Sequence, residues 1–180
     1  MTTSLVATVI GRDRPGIVNQ LSDVAQRHGA NWAGSRMASL AGEFAGMVHF
    51  EVSAERADAL ARELHALESS GLQVVIAKSA EAAADARRTV RLEVVGQDRP
   101  GIVRDVSAKL AHSGVSIHEL ETAVESAAMS GEQLFRMSAV LALPNGVSDE
   151  DVKASLESVA NEMMVDVIVG ENVKDYGPDE

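Results

Sequence analysis

The chain has no cysteine. That absence excludes disulfides, thiolate nucleophiles and zinc ribbons, and it fits a reducing cytoplasm as the compartment. Aromatic residues are sparse, with one Trp, one Tyr and three Phe among 180 residues. The core must then come from Ala, Val and Leu, within the 46% of the sequence that is hydrophobic. Positive charge is scarce too: 16 Lys and Arg stand against 27 Asp and Glu, a net charge of −11. Nucleic-acid binding draws most of its affinity from Lys and Arg neutralising phosphates, so direct DNA binding is not expected. No apolar run approaches the roughly 18 residues of a membrane span. Met1-Thr2-Thr3-Ser4 lacks the charged and apolar regions of a signal peptide. The glycine motifs of nucleophile elbows, phosphate loops and dinucleotide-binding folds are missing as well. His49-Phe50-Glu51 matches part of the zinc deaminase pattern, but without the paired cysteines that pattern fails.

What is present occurs twice. Gly11-Arg12-Asp13-Arg14-Pro15-Gly16-Ile17-Val18 returns 85 positions on as Gly96-Gln97-Asp98-Arg99-Pro100-Gly101-Ile102-Val103. The register persists beyond the motif: Val9 aligns with Val94, Leu21 with Val106, Gly29 with Gly114 and Trp32 with Ile117. Two copies are too few for a solenoid, which stacks three or more. They indicate two related domains in tandem, each so small that burial alone is only marginally sufficient.

The periodicity predicts the same order in each half. Leu5 to Ile10 reads as a buried strand. Pro15 suits the first position of a helix, whose inward face carries Ile17, Val18, Leu21, Val24, Ala25 and His28 and which ends at Gly29. Residues 30–40 read as a strand with a turn at Ala41-Gly42. Residues 46–52 alternate, with Val48, Phe50 and Val52 on one face and Met47, His49 and Glu51 on the other. A helix over 54–69 and a strand over 72–77 complete the half. The second half repeats this as a strand over 89–95, a helix over 100–113, a strand over 115–124, a loop over 126–133 and a strand over 134–143. Ser148 is the expected N-cap of a helix with Asp149, Glu150 and Asp151 in its first turn, and a last strand covers 165–169. Strand, helix, strand, strand, helix, strand is the split βαβ, or ferredoxin-like, unit. The fold class is thus α+β, two such βαββαβ units with antiparallel sheets and helices on one face. The expected boundaries are 1–78 and 89–170 for the domains, 79–88 for an exposed linker and 171–180 for a disordered tail.

The motif joins the first strand to the first helix. Backbone N–H groups at a helix start point outward with the positive end of the dipole behind them, a setting that suits a carboxylate or phosphate. Gly16 and Gly101 let a ligand approach the backbone. Arg12, Arg14 and Arg99 are able to add charge, and Asp13 or Asp98 to cap the helix or hold an ammonium group. Equally, Asp-Arg-Pro-Gly serves as a plain connector, since Pro and Gly are common at such junctions. His28 and His112 end the first helices, where the dipole favours them. Glu119 and Glu121 share a strand face that solvent explains more simply than a metal.

The motif at a strand–helix junction, followed by His28-Gly29-Ala30-Asn31 at the next strand, resembles an ACT domain, a small βαββαβ regulatory module that senses amino acids. Ser35-Arg36-Met37-Ala38-Ser39-Leu40 followed by Gly42-Glu43-Phe44, together with two such domains and no segment long enough for a catalytic one, is similar to the glycine cleavage system transcriptional repressor family. The resemblance implies a non-enzymatic regulator, without a cofactor, that binds a small amino acid such as glycine and acts on a DNA-binding regulatory protein. It also implies ligand binding at the seam between two domains, between the strand–helix loop of one and the second strand of its neighbour. An exposed sheet edge is a pairing template, so further dimerisation is expected. Carried over by position, Asp13, Arg14, Gly16 and Asn31 fall in one site. Asp98, Arg99, Gly101 and Ser116 fall in the other, where Ser116 stands in place of the Asn at position 31. The alternatives are an ACT interaction module that binds no ligand, or a regulatory subunit of an enzyme of amino-acid metabolism.

Overall fold

The computed structural model describes residues 1–79, 87–126 and 132–170. The chain divides into two compact units, Met1–Asp85 and Ala86–Glu180. Most of the expected linker, the expected tail and most of the expected 126–133 loop lie outside the described residues.

The first unit runs β1 (Thr2–Arg12), α1 (Ile17–Arg27), β2 (Asn31–Leu40), β3 (Glu43–Ser53), α2 (Ala54–Ala66), a 3₁₀ turn (Leu67–Ser70) and β4 (Leu72–Ser79). Its sheet has the order β2-β3-β1-β4, antiparallel throughout. Alternation decides the faces. Leu5, Ala7 and Val9 of β1, Val48, Phe50 and Val52 of β3, and Leu72 and Val74 of β4 are buried. They pack with Ile17, Leu21, Val24 and Ala25 of α1 and Ala57, Leu60 and Leu64 of α2 in one apolar cluster. Both helices therefore cover one face, and the other carries Val6, Thr8, Met47, His49 and Glu51.

The second unit repeats the plan with β5 (Thr89–Gln97), α3 (Ile102–His112), β6 (Ser116–Ser126), β7 (Gln133–Ala142), α4 (Asp149–Met163) and β8 (Val165–Gly170). Its sheet order, β6-β7-β5-β8, is the same one shifted by a repeat. Val90, Leu92, Val94, Met137, Leu141, Val106, Leu110 and Leu156 belong to its own buried cluster.

Four expectations change. Val18, expected on the buried face of α1, is exposed, and the face that packs inward is Ile17, Leu21, Val24 and Ala25. Pro15 and Pro100 are not the first helical residues: Gly16 and Gly101 follow them in left-handed conformation, φ 93° and 105°, and the helices begin at Ile17 and Ile102. A residue with that φ cannot continue a right-handed turn, so the proline stands before the cap. The second helix stops at Ala66 rather than 69, because the chain tightens into the 3₁₀ turn that brings partly buried Leu67 onto the core. β1 and β3 are longer than the apolar runs suggest. They pair from Thr2↔Ser53 to Arg12↔Glu43, beyond the residues whose burial gives the signal.

Ala41-Gly42 is a two-residue hairpin turn, with Leu40 opposite Glu43. Both turn residues have positive φ, 52° and 85°. That is the turn whose twist matches the flanking strands.

Candidate functional site

The first glycine of each motif copy has a role unrelated to ligand. A Cβ on Gly11 would lie 2.8 Å from Leu72 Cδ2 and 2.9 Å from the Gly71 carbonyl oxygen. One on Gly96 would lie 2.7 Å from Val165 Cγ1 and 2.9 Å from the Met164 carbonyl oxygen. In both units the central strand passes too close to the start of the last strand for a side chain. Gly16 differs: a Cβ there meets nothing within 4 Å, so its backbone angle alone demands glycine.

Asp13 does not cap α1. Its carboxylate accepts from the Ser39 hydroxyl at 2.6 Å, and its N–H donates to the Gly42 carbonyl at 2.9 Å. The loop is thereby tied to the β2–β3 hairpin. Asp98 repeats the backbone half of this tie, its N–H donating to Gln133 at 2.9 Å. Neither α1 nor α3 has a side-chain cap. Arg14 spans the other side of the loop. Its Nη2 donates to Ser70 Oγ at 3.1 Å, the Ser70 carbonyl at 3.2 Å and Gln20 Oε1 at 3.3 Å. Arg99 instead donates to Gln97 Oε1 at 3.0 Å. Exposed Arg12 ends β1 opposite Glu43. Arg12, Asp13, Arg14 and Gly16 thus share one end of the first sheet, as Asp98, Arg99 and Gly101 do in the second.

Asn31 and Ser116 are elsewhere. Each opens the edge strand of its sheet, at the end away from the motif loop. β2 is 10 residues long, which at ~3.3 Å per residue separates its ends by about 30 Å. Within one unit, then, Asn31 is not brought to Asp13, nor Ser116 to Asp98. At its own end Asn31 pairs with Glu51, and its Nδ2 donates to Glu51 Oε2 at 3.1 Å. Trp32 follows, set edge-to-face on Phe50 with ring centroids 5.3 Å apart, and then a bulge between Trp32 and Gly34. The second unit has the same bulge between Ile117 and Glu119, but Ser116 faces buried Ala142 and its hydroxyl accepts from Arg87 Nη1 at 3.0 Å.

Sequence reasoning passed over Glu51, Ser39 and Ser70. Glu51 already stood on the outward face of an alternating strand, but only the hairpin register sets it against Asn31. An open groove of about 510 Å³ between α3 and α4, lined by Arg104, Asp105, Lys109, His112 and Glu162 among others, includes none of the motif residues.

The family model for the ACT domain matches residues 3–77, which is the first unit. A sequence comparison with curated proteins finds no match. The crystal structure of an unknown protein from Galdieria sulphuraria is 35% identical, covers 96% of this chain and 100% of its own, and superposes with a TM-score of 0.84. The structure of a candidate glycine cleavage system transcriptional repressor is 19% identical over 96% of this chain and 99% of its own, with a TM-score of 0.69. That second likeness is one of fold. With the first unit matched by sequence and the second repeating its strand order, motif and bulge, the chain belongs to the ACT-domain family as a tandem of two such domains.

Proposed function

We propose that the chain is a non-enzymatic regulatory protein that binds a small amino acid, with glycine the first candidate. Supporting this is the uncapped start of α1. Gly16 has no side chain to offer the first N–H groups, and Asp13, the acid of the motif, is engaged by Ser39. A ligand carboxylate suits those donors and the positive end of the dipole. Because Asn31 lies at the far end of its own sheet, a site using both groups takes the loop from the first unit of one copy of the chain and β2 from the first unit of a second copy. An unpaired edge is a template for such pairing, which favours a homo-oligomer. Binding then orders the seam and alters the surface offered to a protein partner, and the shift is limited to the ligand's differential affinity for the two states. The partner proposed is a DNA-binding regulator of glycine cleavage genes in the cytoplasm.

The test is thermal unfolding of the full chain against the twenty amino acids, glycine and serine first, with calorimetry on any hit. A ligand at about 100 times its Kd adds roughly 2.7 kcal/mol, a rise of about 10–20 °C for one unit melting on its own. A flat response across the set overturns the sensor reading and leaves an ACT interaction module.

A further inference from the structure

Glu51 and the first strand of the hairpin ladder suggest which end of the ligand is read, and by which unit. We infer that Glu51, acting with Asn31, is the specificity residue for the ligand's ammonium group, and that recognition is confined to the first unit. This rests on the amino-acid-sensing reading above.

The hydrogen bond from Asn31 Nδ2 to Glu51 uses the amide's donor side. The Asn31 side-chain carbonyl oxygen and the second Glu51 carboxylate oxygen are left as acceptors on paired residues of the ladder. Neither side chain has another hydrogen-bond partner among the described residues. An ammonium group has three donors and a full positive charge, and two such acceptors, one of them anionic, meet it well. Trp32 on Phe50 anchors the strand beside this pair, and the bulge that follows holds the first rungs apart from the rest of the ladder.

The second unit keeps the bulge and loses the chemistry. Ala142 stands where Glu51 stands, and it is buried with no acceptor. The Ser116 hydroxyl accepts from the Arg87 guanidinium. The carboxylate that would meet an ammonium group in the first unit has no counterpart at this rung. The tandem is therefore unequal: two copies of the loop, one copy of the ammonium end.

The experiment is calorimetry on the full chain with glycine and with N-acetylglycine, which keeps the carboxylate and loses the ammonium, for the wild type and Glu51→Gln. Gln still accepts from Asn31 through its carbonyl oxygen and fills the same volume, so the variant keeps that bond while it removes the charge and turns the second acceptor into an NH2 donor. We expect one glycine per chain, a loss of roughly tenfold or more in glycine affinity in Glu51→Gln, and a smaller preference for glycine over N-acetylglycine. Two equivalent glycines per chain would overturn the confinement to the first unit. Unchanged glycine affinity in Glu51→Gln would overturn the role of Glu51 while leaving the sensor reading intact. A wild type that binds no amino acid removes both.

Discussion

Gly16 illustrates how one residue links sequence to strain. A residue with a Cβ at φ 93° is outside the right-handed region, and the left-handed conformation costs roughly 1–2 kcal/mol for a non-glycine residue. Gly16→Ala should lower unfolding free energy by about that amount in chemical denaturation, with no clash to blame, since the space around it is open. Gly11→Ala should cost more, because Leu72 and the Gly71 carbonyl must move. Neither variant is a clean probe of ligand binding. The two glycines look alike in the sequence, where both read as motif residues. What separates them, a backbone angle in one case and a neighbouring strand in the other, exists only once β1 and β4 are paired. Asp13 is a similar case: its place in the motif was plain, but its hydroxyl partner is 26 residues away on the hairpin.

Among the elements, α4 has the most fully specified start. Ser148 Oγ accepts from the Asp151 N–H at 3.1 Å, and the Asp151 carboxylate accepts from the Ser148 N–H at 2.9 Å. Ser148→Ala should destabilise the second unit by about 1 kcal/mol, leaving the first unit's transition unmoved. These bonds, the backbone one above all, hold the Asp151 carboxyl below its ordinary pKa. On α2, Glu63 is held low by its hydrogen bond to His28 and then by Arg27 at the end of α1. Both pKa values are depressed in the folded state, so the stabilisation is present above the ordinary carboxylate range and is lost as pH falls through the folded values. Stability should be flat above about pH 5 and decline below about pH 4, and Glu63→Gln should shallow that decline in a denaturation series run against pH. Helix faces, strand alternation and the Ser148 cap were all legible, because each depends on residues close in sequence. The β1 and β3 ends were not, since their outer rungs bury too little to leave a pattern.

At the scale of the whole molecule, the net charge of −11 sets an expectation for partners. Duplex DNA should keep its gel mobility in the presence of the protein even at low salt, where electrostatic binding is strongest; retardation would contradict a role exercised through another protein. The repeat was the clearest feature of the sequence, and the tandem fold followed from it. The inequality of the two halves did not, because Ser116 in place of Asn31 is visible in one line while Ala142 in place of Glu51 requires the ladder. That ladder starts from Ala41-Gly42. Counting back from this turn along β2 and forward along β3 sets Ser39 beside the loop of Asp13, and the one-residue bulge between Trp32 and Gly34 then brings Asn31 beside Glu51 rather than Val52, so turn and bulge together act as the ruler for the two ends of the edge strand. An insertion of a single residue in the turn would transpose the outward and inward side chains of the edge strand relative to its neighbour. Both groups proposed to meet the ligand would be mis-set in one step, though neither lies in the turn.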